Sequence, residues 1–144
     1  MSKDISNLIK RIGSIVPGFV GYETKESLRK TDYQIRLHAK QNLERLIKRI
    51  ERDKLSHNDE DLMKLDKAQN DLKLFNNQMI NQVYGYDALM DRKENSDLED
   101  IISNDSKMID IIESINYGDT SYKTITDLHQ KLDDLLMQRQ DILR

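Results

Sequence analysis

The sequence predicts an all-α fold: an antiparallel four-helix bundle in which two long helices form a hairpin, with a short helix attached at the N-terminus. Three observations predict it. Apolar residues recur in steps of three and four over most of the chain, the period of a single buried helix face. The one proline and three of the five glycines fall within residues 13–22, so helix breakers are scarce elsewhere. Short polar runs separate the periodic segments. The chain reads as one domain over residues 1–144, divided into a helix (1–12), a Gly/Pro loop (13–23) and the bundle (24–144).

Residues 4–12 form an amphipathic helix, with Ile5, Leu8, Ile9 and Ile12 on one stripe and Lys3, Lys10 and Arg11 off it. Gly13 and then Pro17 are expected to end it, which leaves residues 13–22 as a stretch that cannot be helix. Pro17-Gly18 fits the central pair of a type II turn, with Gly18 at positive φ. Val16, before proline, is pushed to an extended conformation. Gly21 permits close backbone approach just before the next helix.

A long helix is expected from about residue 24 to residue 54. Its stripe of Leu28, Asp32, Ile35, Ala39, Leu43, Leu46 and Ile50 is close to a coiled-coil heptad seam, about 45 Å long at 1.5 Å per residue. Positions such as Leu43, Ile47 and Ile50 suit either the chain's own helices or a second subunit. Residues 56–61 form a polar turn whose carboxylates favour the positive start of the following helix. That helix carries Leu65, Ala68, Leu72, Phe75, Met79, Val83, Tyr86 and Met90, and its phase survives Gly85, which is read as lying inside it. Two long helices joined by a short turn make the hairpin.

Ser96 and Glu99 have capping-box spacing and open the next helix, with Leu98, Ile101, Ile102, Met108, Ile109, Ile112 and Ile115 as its apolar positions. Residues 116–119 end it, with Gly118 placed for a left-handed C-cap. The last helix starts near Ser121 and runs to the C-terminus on Ile125, Leu128, Leu132, Leu135, Arg139 and Ile142.

Composition narrows the class. The chain is 37% apolar and 34% charged, with mean hydropathy −0.76, enough at this length for one core that buries roughly 70% of the unfolded surface. There are no cysteines, which excludes a disulfide framework, cysteine-ligated zinc and a thiol nucleophile and suits a reducing compartment. No apolar run approaches the roughly 20 residues needed to span a bilayer, so a cytoplasmic protein is expected. Residues 1–55 carry 13 Lys/Arg against 7 Asp/Glu, and residues 56–144 carry 10 against 19. Basic early helices are expected to pack beside acidic later ones. The sharper reading of the same asymmetry is a basic face for membrane lipid or nucleic acid.

Familiar chemistry is not found. A di-iron bundle needs Glu-x-x-His, and none of His38, His57 and His129 lies three residues after a Glu. His57 sits beside Asp59 and Asp61 without the glycine and terminal Glu of a calcium loop. Gly13-x-x-x-x-Gly18 has phosphate-loop spacing, but Phe19 stands where lysine is required. Gly18-Phe-Val-Gly21 has the spacing of an RNA-clamping loop without the sheet that carries it. No strand–turn–helix elbow exists to hold a serine nucleophile. The expectation is no metal, no cofactor, no small-molecule substrate and no enzyme.

The Gly/Pro loop is the place where a function can sit. Phe19, Val20 and Tyr22 are apolar side chains on a short stiff segment, either a plug over one end of the bundle or a partner surface. Hairpin geometry sets residue 22 opposite about 92 and residue 29 opposite about 85, which brings Tyr84, Gly85 and Tyr86 next to Arg29, Asp32 and Arg36. Asp32 lies on the apolar stripe, where a carboxylate needs partners. Arg29 and Arg36, three and four residues away, can supply them, as can tyrosine hydroxyls or loop amides. The outcome is a satisfied network or a small polar pocket. Asp105, also on an apolar stripe, has the same reading. The candidate partner-binding residues are Pro17, Gly18, Phe19, Gly21, Tyr22, Arg29, Asp32 and Tyr86. The N-terminal helix docks on its own bundle or on a second copy, or lies on an anionic membrane.

Over about 20 residues, the segment Pro17-Gly18-Phe19-x-Gly21-Tyr22-x-x-Lys25-Glu26-x-x-Arg29-x-x-Asp32 resembles the opening of a group of small, uncharacterised prokaryotic all-helical proteins. The resemblance implies that the loop and the face bearing Arg29 and Asp32 act as one unit, and it implies no activity. The functional expectation is therefore a non-enzymatic interaction or scaffold protein that meets a protein partner or itself at the loop end. The alternative is peripheral binding to an anionic surface through the first 55 residues.

Overall fold

A computed structural model of the chain describes residues 3–56, 58–81, 85–91 and 96–143, and over these residues the fold is all-helical, with six α-helices. Helix α1 (Lys3–Ile15) runs past Gly13, three residues beyond the expected end. The glycine interrupts nothing, because it leaves room for a neighbour: a Cβ there would lie 2.9 Å from the ring of Phe19. The Val16 amide still reaches the Ile12 carbonyl at 2.9 Å, and Pro17 then removes the next donor. The turn after it has the expected form, with Gly18 at φ 76° and the Phe19 amide donating to the Val16 carbonyl at 3.3 Å.

Thr24 caps α2 (Lys25–Asp53) in a reciprocal pair with Ser27, each hydroxyl accepting the other residue's backbone amide at 2.8–3.0 Å. The predicted stripe is the buried one, from Leu28 through Asp32 to Ile50. A single 3₁₀ turn (Lys54–Ser56) and an Asn58 cap lead into α3 (Asp59–Asn77). Contacts from Lys54 to Asp66, Gln69 to the Ile47 carbonyl and Asn76 to the Lys40 carbonyl descend one helix as they climb the other. The two helices are therefore antiparallel.

The third helix does not continue through Gly85. It ends at Asn77, and α4 (Tyr86–Asp91) is a separate element. Gly85 marks the break: its φ is +110°, and a Cβ would lie 2.8 Å from the Leu143 carbonyl oxygen, where the chain's last helix packs against it. His57, Val83 and Tyr84, which figured in the sequence argument, lie outside the described residues.

Helix α5 opens at Ser96 and ends at Ser114, and α6 spans Tyr122–Leu143 behind a Ser121 cap. Gly118 is not left-handed. Its amide reaches Ser114 at 3.1 Å, and the positive-φ glycines are Gly18, Gly21 and Gly85. Asn104 to the Leu135 carbonyl, at 2.9 Å, and Gly118 beside Thr124 make α5 and α6 a second antiparallel pair. Between pairs the direction is shared. Lys64 lies over the Tyr122 ring and Phe75 against His129, so α3 and α6 run the same way.

Helix α1 lies on α5, with Ile5 and Ile12 buried and Arg11 joined to Ser106 and Asp110. Its apolar stripe is spent inside the chain. The α2 seam is likewise filled from within, with Leu43 and Ile50 fully buried and Ile47 packed against the core. Pairs such as Arg11–Asp110, Lys25–Asp91 and Lys54–Asp66 set the basic first helices against the acidic later ones. Among the described residues, no helix is long and apolar enough to cross a membrane.

Candidate functional site

Among the described residues, three charged side chains are buried on otherwise apolar helix faces: Asp32 on α2, Asp105 on α5 and Arg139 on α6. Isolated, each would be costly in the core. The fold brings them to one point. Arg139, only 2% exposed, donates through Nε and Nη2 to Asp32 Oδ1 at 3.0 and 2.9 Å and pairs through Nη1 with Asp105. Nε and Nη2 also donate to the Tyr86 hydroxyl at 2.9 and 2.6 Å, and that hydroxyl donates on to Asp32 at 2.7 Å. Tyr22 closes the cluster from the loop by donating to Asp105 Oδ2 at 2.7 Å.

Arg36, one turn beyond Asp32, grips the same carboxylate with Nε at 3.0 and 3.1 Å. Its Nη1 donates to the Met79 carbonyl at 3.2 Å, in the turn that follows the end of α3. Two guanidinium groups thus meet two carboxylates, and the cluster is neutral overall. Burial alone would push the Asp32 carboxyl up. Arg139 and Arg36, with the Tyr86 hydrogen bond, outweigh it and hold the group below the usual carboxylate range. Burial pushes both Tyr22 and Tyr86 well above the usual phenol range, with Arg139 opposing in each case. Burial also works against the charge on Arg139, and Tyr86, Asp32 and Tyr22 more than restore it.

The loop is fastened at further points. Thr31, fully buried on α2, donates to the Gly21 carbonyl at 2.6 Å. Phe19 meets Tyr22 edge to face at 5.7 Å between centroids, and Gly18 sits against the Gln34 side chain. What faces outward is the turn itself: Pro17 and Gly18 are exposed, Phe19 is half-buried and Val20 is 51% exposed.

The eight candidate residues therefore separate into two layers. Tyr22, Asp32 and Tyr86 are buried and shape the loop end from beneath, while Pro17 and Gly18 are exposed and Phe19 and Gly21 are half-buried. Arg29 is exposed, and the described hydrogen bonds to Asp32 come from Arg36, Tyr86 and Arg139 instead. The geometric expectation that Tyr86 lies beside Asp32 and Arg36 matches the structure. Arg139 is the residue that sequence reasoning missed. The signal was present, because two acids and one base on otherwise apolar stripes have to meet one another.

Among the described residues, no group of three or more His, Asp and Glu side chains is placed to hold a metal ion. With donors and acceptors turned on one another, the arrangement acts as a clasp tying the loop, α2, α4, α5 and α6 together. Comparison of the chain with known protein families, with curated proteins and with solved structures gives no match.

Proposed function

We propose that this chain is a non-enzymatic helical interaction protein of the cytoplasm, a four-helix bundle of α2, α3, α5 and α6 whose partner surface is the Pro17–Val20 turn. The observation that carries the reading is the contrast between the two sides of the loop. Its inner side is fixed by Tyr22–Asp105, Thr31–Gly21 and the packing of Phe19, while its outer side presents Pro17, Gly18 and a half-exposed Val20. A turn held this way loses little freedom on binding, which is the cost that most weakens loop contacts. The cysteine-free composition supports a reducing compartment.

The test uses Val20, since Phe19 and Tyr22 also pack inward and their removal would disturb the fold. Val20→Asp keeps the clasp and changes the outer face. Light scattering on the wild type and this variant tests self-association, and affinity capture with the two tests a protein partner. The reading requires loss of a dimer or of a specific captured protein in the variant. An unchanged mass and unchanged capture would reduce the loop to a plug.

A further inference from the structure

The far end of α2 carries a different surface. Arg45, Lys48, Arg49 and Arg52 are spaced i, i+3, i+4 and i+7, so they share one helix face. They line a single groove with Leu46, Ile115 and Asn116, about 20–30 Å along the helix from Asp32 at 1.5 Å per residue. Most other cations of the early helices have partners: Arg11 with Asp110, Lys25 with Asp91, Lys30 with Glu26, Arg36 with Asp32, Lys40 with Glu44. Here the pattern changes. Arg49 donates to the Ile115 and Gly118 carbonyls, both at 2.9 Å, which fixes it at the end of α5. Arg52 touches Asp53 at 3.3 Å. Arg45 and Lys48 are exposed and, among the described residues, have no carboxylate within ion-pair reach. Glu44 and Glu51, their acidic neighbours on α2, are drawn to Lys40 and Lys54.

Two large apolar side chains border this stripe in the chain. Leu55, three residues after Arg52, is 94% exposed, and Tyr117, next to Asn116, is 89% exposed. A phosphate strand rewards the cations and can stack on a tyrosine, but it gains nothing from an aliphatic tip. An anionic bilayer surface rewards all three: headgroups attract the cations, tyrosine suits the interface, and leucine reaches the acyl boundary.

We propose that the Arg45–Lys48–Arg49–Arg52 stripe, with Leu55 and Tyr117, docks this chain on an anionic lipid surface. This surface lies apart from the Pro17–Val20 turn and does not depend on it. Partner capture at one end and lipid contact at the other are separable by mutation.

The experiment is co-sedimentation of the full chain with vesicles of phosphatidylcholine alone and with roughly one third phosphatidylserine, at about 0.05 and about 0.5 M salt. Binding is expected only with phosphatidylserine, and it should fall steeply at the higher salt. Arg45→Gln with Lys48→Gln should lower partitioning about 25-fold, since each cation near the surface contributes roughly fivefold. Leu55→Ser should lower it several-fold more. All three positions are exposed, and circular dichroism verifies that the variants stay helical. Absence of binding to phosphatidylserine vesicles at low salt overturns the proposal, as does binding unchanged by either variant. Binding to a mixed-sequence DNA oligonucleotide that needs Arg45 and Lys48 but not Leu55, without vesicle binding, assigns the stripe to nucleic acid and also overturns it.

Discussion

Tyr22 and Asp105 lie 83 positions apart, and a 2.7 Å hydrogen bond joins them inside the core. One belongs to the only loop with a proline, the other to the middle of α5, so this bond sets where the loop sits on the bundle. Tyr22→Phe keeps the ring and its edge contact with Phe19 but leaves Asp105 short of a donor. Chemical denaturation is expected to show a loss of about 1.5–3 kcal/mol, the range for a hydrogen bond to a charged group, with the helical signal before unfolding unchanged. A loss no larger than that of an exposed Tyr117→Phe control would mean that the bond carries no weight.

Removing Arg139 should be far more costly. Arg139→Met fills a similar volume and leaves the fully buried Asp105 without its cation, while Asp32 keeps Arg36 and Tyr86, which predicts about 3–5 kcal/mol of destabilisation. The cause can be separated from lost packing. Adding Asp105→Asn to the variant removes the stranded charge and should restore part of the loss. The variant alone should also gain stability on going from neutral to mildly acidic pH. Without arginine the buried Asp105 charge faces no cation, and protonation at lower pH removes that cost from the folded state. A denaturation midpoint that is insensitive to pH between neutrality and pH about 5 would argue against a charge effect.

For the wild-type chain the two pH limits have opposite signs. Asp32 titrates lower in the folded state than its ordinary 3.8, so its contribution is present above about pH 4 and is lost as pH falls through the folded value. Tyr22 and Tyr86 titrate higher than their ordinary 10.0. Their contribution is complete below pH 10 and is lost as pH rises further. Urea midpoints should therefore form a plateau between these limits with a steep alkaline edge. Tyrosinate absorbance should show these two phenols ionising only as the protein unfolds, and Tyr22→Phe should lower the number of protons released on alkaline unfolding by about one.

The helices were legible in the sequence because burial imposes a period, and the α2 stripe from Leu28 to Ile50 is the face that the fold buries. The loop was legible because proline and glycine restrict the backbone locally. Two things were not. A glycine reads the same in sequence whether it is tolerated within a helix, as Gly13 is, or stands between two, as Gly85 does just before α4; the difference lies in Phe19 and Leu143, which come from elsewhere in the chain. The clasp was half legible. Asp32 and Tyr86 could be placed together by hairpin arithmetic, but Arg139 reaches them from α6 across the core, and no local pattern encodes that crossing.

Gly85 offers the sharpest contrast among the glycines. At φ +110°, with the Leu143 carbonyl oxygen 2.8 Å from a would-be Cβ, Gly85→Ala meets both backbone strain and a backbone atom that cannot rotate away. The expected cost is about 1–3 kcal/mol, with the C-terminal turn of α6 losing protection in hydrogen exchange before the rest. Gly118→Ala should behave in the opposite way. Its φ is not positive, and its nearest contacts, at 3.5 and 3.7 Å, are ordinary van der Waals distances. Alanine there restricts the unfolded chain without straining the folded one, so stability should hold or rise by up to about 1 kcal/mol. If the helix ran unbroken through Gly85, alanine at that position would also stabilise it. The sign of that single measurement decides between the continuous helix that the apolar period suggests and the break that the structure places there.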